Sequence, residues 1–304
     1  MKQRRETGME LKHIAQRDGR LSSFLKQELG LSTGLMNRLK WAQKLYVDGI
    51  PQHADFFVSI GDEITAVLDD PQPQYPAEDG PVDILYEDEH VLCVDKPAGM
   101  LIHPSRSCFT GTLANYVLGY YQRTGQSCAF HPVTRLDRDT FGVVLLAKNA
   151  HIHGKINQLH TEGKLQKTYE ALVLGVPEPE KGVIDAPIAR LPLPSLLRQV
   201  HPEGKPSVTE YEVLEAYDGY SRLRLQPVTG RTHQLRVHCS YRGFPILGDP
   251  QYGNEASGAL SEQMGLQTQV LCARRLQFPH PVTGEAMDIV SRIPIAATEK
   301  RGAV

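Results

Sequence analysis

Beyond its first 80 residues, this chain of 304 breaks into short apolar runs that no single repeating unit explains. Residues 84–86, 91–94, 143–147, 169–174, 208–214, 221–225 and 234–238 alternate or are β-branched, and each is bounded by Gly, Pro or Asp. That pattern predicts strands. Helical spacing interrupts them at residues 113–121 and 150–159. Strands and helices in irregular order, without the regular βαβ alternation of a parallel fold, predict an α+β domain around a large mixed, mainly antiparallel sheet. No apolar run approaches the roughly eighteen residues of a membrane-spanning helix, so no membrane partner is expected.

The N-terminal part has a different texture. Residues 1–20 are polar, with Lys2, Arg4, Arg5, Lys12, Arg17 and Arg20 set against Glu6, Glu10 and Asp18. A tail is expected there, either solvated or a basic arm. In residues 21–68, Leu21, Phe24, Leu25 and Leu29 follow helical spacing. Gly30 ends that helix and Ser32 or Thr33 caps a second. The second helix carries Leu35, Leu39 and Ala42 on one side, with Arg38, Lys40 and Lys44 elsewhere. Asp48-Gly49 then reads as a hairpin turn. Residues 69–81, rich in Pro and polar residues, read as a semi-rigid linker. The catalytic candidates all lie in residues 82–304.

Two runs carry the chemistry. The first is Thr134-Arg135-Leu136-Asp137-Arg138-Asp139-Thr140-Phe141-Gly142, a charged turn opening into an apolar strand. The second is Gly230-Arg231-Thr232-His233-Gln234-Leu235-Arg236-Val237-His238. A carboxylate beside guanidinium groups is held ionised, and an ionised Asp can act as a nucleophile. An Asp between two arginines is, taken alone, more often a structural ion pair. Read as a strand, the second run places Leu235 and Arg236 on opposite faces.

These runs resemble the motifs H-R-L-D-x-x-T-S-G and T-G-R-x-H-Q-[IL]-R-V-H of RluA/RluD-type pseudouridine synthases. The second continues into Gly248-Asp249-Pro250-Gln251-Tyr252-Gly253, which the family also carries. Asp95-Lys96-Pro97-Ala98-Gly99 with Ile102-His103-Pro104, then Gln166-Lys167-Thr168-Tyr169-Glu170-Ala171, follow in family order. So do Pro187-Ile188-Ala189-Arg190 and residues 205–211. The chain departs at Thr134 (usually His), Phe141 (usually Ser) and Cys272 (commonly His). Residues 21–68 are similar to the alpha-L RNA-binding domain first seen in a small-subunit ribosomal protein, with Asp48 where Asn is commoner.

The resemblance implies a pseudouridine synthase fold behind a small alpha-L domain. It implies Asp137 as the catalytic residue, Arg236 as its partner and Tyr169 as the aromatic residue against the target uracil, where its ring stacks and its hydroxyl offers a proton. Leu235 would lie close to the site. Arg135 would fill the space of the flipped base or clamp a phosphate, because a uridine in folded RNA must leave its stack to be reached. Arg231, His233, Gln234, Lys96 and His103 would bind RNA or hold the site, and Arg38, Lys40 and Lys44 would touch RNA from the alpha-L domain. For the aspartate, attack on the uracil ring, attack on C1′ and removal of the 2′ proton all stay open.

No nucleotide or metal cofactor is implied. His151, His153, His160, His233 and His238 match no ligand spacing, and the five cysteines form no CxxC pair. That cysteine usage points to a reducing, cytoplasmic setting. A monomer is expected, since no heptad appears. Net charge is −2, against a non-specific nucleic-acid binder, but an enzyme reading RNA by shape needs only local patches. The expected partner is RNA, ribosomal RNA of the large subunit first and transfer RNA second. Two other classes compete. Asp137 and Asp139 on one strand face would be spaced about 6–7 Å apart, as in a glycosidase-like hydrolase. A degenerate, non-catalytic RNA-binding protein is the other, and Thr134 and Phe141 motivate it.

Overall fold

The computed structural model describes residues 9–68, 75–105, 108–192 and 195–295. Its N-terminal unit is a four-stranded antiparallel sheet in the order Met9–Ile14, Glu63–Leu68, Leu45–Val47, Ile50–Pro51. Helices Leu21–Gln27 and Thr33–Trp41 complete it. The second helix begins where Ser32 Oγ accepts the Leu35 amide at 3.2 Å. Asp48 and Gly49 both have positive φ, 49° and 74°, as a tight two-residue hairpin requires. Leu21, Phe24, Leu25, Leu35, Met36, Leu39, Leu45 and Ile64 form a core belonging to this unit.

From Met9 onward, the expected polar tail of residues 1–20 is corrected by this sheet. Met9–Ile14 pairs with Glu63–Leu68 along its whole length, and Arg17 lays its guanidinium 4.4 Å from the centre of the Phe24 ring. Strand pairing, which composition does not report, orders this polar segment. Lys2, Arg4 and Arg5 lie outside the described residues, as do residues 69–74 of the linker. Tyr75 and Ala77, at its far end, pack against the second unit's core.

That unit is built on a mixed, mainly antiparallel ten-stranded sheet. The main path runs Lys181–Asp185, Val208–Ala216, Tyr220–Pro227, Gln166–Leu174, Leu271–Pro279, Phe141–Ala147, Val91–Lys96, Ile84–Glu87. His131–Pro132 and Ala286–Val290 pair off this path. Only Phe141–Ala147 and Leu271–Pro279 run parallel among the paired strands described. Helices Leu113–Arg123 and Ala150–Thr161 stand where helical spacing predicted them.

Two local expectations are overturned. Residues 234–238 are not a strand but the start of helix Gln234–Tyr241. Every residue from 234 to 239 is buried, and a helix buried all round loses the one-sided periodicity that would reveal it. Asp137 and Asp139 lie on the turn before Phe141–Ala147 rather than on a strand face, which removes the strand geometry behind the hydrolase reading.

Candidate active site

The Asp137 turn is held from three directions. The Thr140 amide donates to the Asp137 carbonyl at 3.2 Å, closing the turn. Downstream, Gly142 has φ +108°, and a Cβ there would lie 2.4 Å from the Ala273 carbonyl oxygen. Only glycine fits so close a strand approach. Beneath, the Lys96 ammonium, wholly buried, donates to the carbonyls of Pro97, Met100 and Arg138, each at 2.9 Å. Burial pulls its pKa down to about 8, while the Asp139 and Asp137 carboxylates pull the other way. Lys96, expected to bind RNA or hold the site, therefore clamps the turn from a buried position. Thr134, in place of the usual His, accepts the Leu145 amide on Oγ1 at 2.9 Å.

Opposite the turn stands Arg236. Its Nη1 donates to Asp137 Oδ2 at 3.1 Å. Its Nε and Nη2 fork onto Asp249 at 2.7 Å each, and Nη2 also reaches Gln251 Oε1 at 2.8 Å. The guanidinium lies 4.9 Å from the centre of the Tyr252 ring. Asp249 Oδ1 also accepts the amides of Gln251 and Tyr252. The Gly248 to Gly253 run is thus a carboxylate-centred turn that seats the arginine. Gly248 has φ +75°, and its hydrogen stands where a Cβ would meet the Thr268 carbonyl oxygen at 2.1 Å. The Asp249 side chain is fully buried and that of Arg236 5% exposed, whereas the Asp137 side chain keeps 27% of its surface open. Burial works against the charge on Arg236, but the hydrogen bond and charge of Asp249, then Asp137, raise its pKa. The result is one rigid cation between a closed carboxylate and an open one.

Tyr169 comes from strand Gln166–Leu174, at a bulge. Thr168 pairs with Arg275 and Glu170 with Cys272, so Ala273 and Arg274 both face Tyr169. The extra residue bends the strand and re-aims side chains, and Ala273 is also the residue crowded against Gly142. One irregularity thus sets both the Tyr169 ring and the strand that follows Asp137. Burial, then the Asp137 charge and Cys272, raise the phenol pKa. Tyr169, Thr134, Val143 and Lys167 line a small cleft.

The other sequence candidates separate. Leu235 is buried in the core cluster against which Tyr169 packs. Arg135 is exposed beside Asp137. His103 packs edge-on against Phe130, and burial and then the Arg135 charge lower its pKa. Arg231 is exposed, its Nε donating to the Pro206 carbonyl at 3.2 Å. Arg38 and Lys40 are exposed near the end of the second helix and Lys44 is partly buried. Gln234 takes the holding role of the two expected for it. It is buried, its Oε1 accepts from Thr229 and the Arg231 amide, and its Nε2 donates to Val208 and Thr209. With no surface to offer RNA, it ties the second motif to the sheet.

His238, also buried, continues that network. Its Nε2 faces the Ala186 carbonyl and must donate, so Nδ1 accepts the Thr209 hydroxyl at 2.9 Å. Asp249, Gln251 and Tyr252 are site residues to which sequence reasoning gave no role. The signal was present in the Gly248 to Gly253 run. Two departures from the motifs, Phe141 and Cys272, prove to be register partners across the parallel strand pair.

The chain matches the RNA pseudouridylate synthase family model over residues 90–241. It is 37% identical over 270 residues to YjbO of Bacillus subtilis, an uncharacterised RNA pseudouridine synthase, covering 88% of this chain and 93% of that one. It is 37% identical over 251 residues to ribosomal large subunit pseudouridine synthase D of Vibrio parahaemolyticus, covering 79% and 77%. Among solved structures it resembles human RNA pseudouridylate synthase domain containing 1, with TM-score 0.59 and 27% identity over 73% of this chain and 87% of that one. The turn-borne aspartate, its forked arginine and the bulge-set tyrosine therefore sit in a chain that belongs to the RluA/RluD-type RNA pseudouridine synthases, and it is an isomerase of that family.

Proposed function

We propose that Asp137 is the working carboxylate in the conversion of uridine to pseudouridine in RNA, with large-subunit ribosomal RNA as the substrate. The observation that carries this reading is the asymmetry around Arg236: Asp249 is sealed and Asp137 is partly open on the same guanidinium. An open carboxylate of fixed rotamer is placed to meet a substrate; a sealed one is not. In the reaction the C1′–N1 bond breaks, a C1′–C5 bond forms, the C5 hydrogen leaves as a proton, and N1 takes one up. Tyr169 supplies the flat wall for the base. Arg135, exposed next to the site, enters the space the flipped uridine vacates.

The N-terminal unit is read as an alpha-L RNA-binding domain. Its two helices, hairpin and exposed Arg38 and Lys40 support that. The names of relatives that act on the large ribosomal subunit support the substrate. Cysteine usage and the absence of a heptad in the sequence support a monomer working in the cytoplasm.

The test is tritium release from RNA labelled at uridine C5. Isomerisation expels that hydrogen to water, whereas glycosidic hydrolysis leaves it on free uracil. Wild type should release tritiated water from ribosomal RNA, and Asp137→Asn should release none while keeping its fold and RNA affinity. A fully active Asp137→Asn protein would sink the assignment. Release from transfer RNA alone would overturn the substrate, and labelled free uracil would support a hydrolase.

A further inference from the structure

Beside Asp137 lies a donor chain that the reaction as described does not use. The Tyr252 hydroxyl oxygen accepts the Arg198 amide at 3.0 Å and lies 2.8 Å from His233 Nδ1. The bond accepted from Arg198 leaves the Tyr252 proton free to be donated to Nδ1, and in that arrangement the neutral ring carries its hydrogen on Nε2. Nε2 faces Asp137 Oδ2 at 3.9 Å, the same oxygen that Arg236 holds. Among the described residues no hydrogen bond reaches Asp137 Oδ1. Burial, together with the charges of Arg236 and Arg198, favours the neutral ring, against the pull of Asp137 and Asp249.

The backbone supports the same reading. His233 has φ 57°, ψ 18°, in the left-handed region, at the N-cap of helix Gln234–Tyr241. It makes no side-chain cap bond there. A position that needed only this turn would be served best by Gly, which adopts it without strain. A strained non-glycine residue beside the reacting group indicates that its side chain has work to do.

We propose that His233 is a positioning residue: with its tautomer set by Tyr252, it donates Nε2–H to Asp137 Oδ2, so that Oδ1 is the oxygen that reacts. The proposal rests on the reading of Asp137 given above. The 3.9 Å separation is a contact that closes when RNA fills the site, as catalytic hydrogen bonds commonly do on complex formation.

The experiment compares His233→Gly, His233→Gln and Tyr252→Phe with wild type and Asp137→Asn. The readout is single-turnover tritium release from C5-labelled ribosomal RNA, with KM measured separately. Gly relieves the backbone and removes the donor; Gln strains the backbone and keeps an amide donor at similar reach. The proposal expects His233→Gly to lose about ten- to a hundredfold in rate, the loss of one hydrogen bond to a charged group, with KM unchanged. It expects His233→Gln to recover most of that rate. Tyr252→Phe should slow the wild type but add nothing to His233→Gly, because the two act as one unit. If His233→Gly is as active as His233→Gln, the residue serves only its turn and the proposal falls. A change confined to KM overturns it in favour of RNA contact. Asp137→Asn reports separately, since its full activity would defeat the underlying reading whatever the His233 variants do.

Discussion

At the scale of single residues, the site is a problem of distributing one buried cation. Arg236 gives two donors to Asp249 and one to Asp137, so the same side chain holds a sealed carboxylate and the one proposed to react. The two roles predict a compound effect for Arg236→Ala. Turnover should fall steeply because Asp137 loses its restraint. The fold should weaken as well, by about 3–5 kcal/mol, because the enclosed Asp249 charge loses its partner. Denaturant melts and tritium release on the same preparation check both, and an unchanged melting midpoint would contradict the geometry. Lysine is no substitute, as a single ammonium cannot reproduce the planar fork.

At the scale of elements, the motifs are mostly devices for bringing unlike pieces of chain together. Lys96, at the end of strand Val91–Lys96, clamps the Asp137 turn through the Arg138 carbonyl. Gly142 lets the following strand lie against Leu271–Pro279, and the bulge in that strand turns Tyr169 toward the site. The N-terminal unit stands apart in this respect, having its own core and its own sheet. Removing residues 1–70 should therefore leave a soluble, folded synthase domain with weaker RNA binding. The salt dependence of binding should become shallower, because the phosphate contacts proposed for Arg38 and Lys40 would be lost. Aggregation of the truncated protein, or an unchanged salt slope, would speak against the proposed division.

At the scale of the whole molecule, buried histidines make stability depend on pH. Burial, then the charges of Lys155 and His90, hold the His151 imidazole down at about 4. His238, within its Thr209 and Ala186 bonds, is also lowered. An unfolded chain takes up protons near the ordinary histidine value of about 6.5, whereas the folded chain resists. Stability is thus at its full value above about 6.5 and declines as pH falls toward 4. For His151 the loss is on the order of 3 kcal/mol once pH reaches 4. Denaturant midpoints at pH 7.5 and pH 5 check this. The drop should shrink in His151→Phe if that variant folds, and a pH-independent midpoint would contradict it.

What the sequence determined by itself was whatever depends on local order along the chain. The strand and helix signals at residues 143–147, 169–174, 113–121 and 150–159 were legible because each buries one face or one short run. The Asp48-Gly49 turn was legible because two consecutive left-handed residues demand that chemistry. Asp137, Arg236 and Tyr169 were legible as a group through ordered motifs. Tertiary structure decided the rest. It made residues 234–241 a helix, since burial on all sides had erased the periodic signal. It drew the polar Met9–Ile14 segment into a sheet by pairing it with a strand some fifty residues away. It buried Lys96 and Gln234, expected either to bind RNA or to hold the site, as clamps, and it brought Asp249 and Tyr252 beneath Arg236. Those outcomes rest on which groups share a low-dielectric interior, and a long polar side chain reads the same in sequence whether its donors face water or carbonyls.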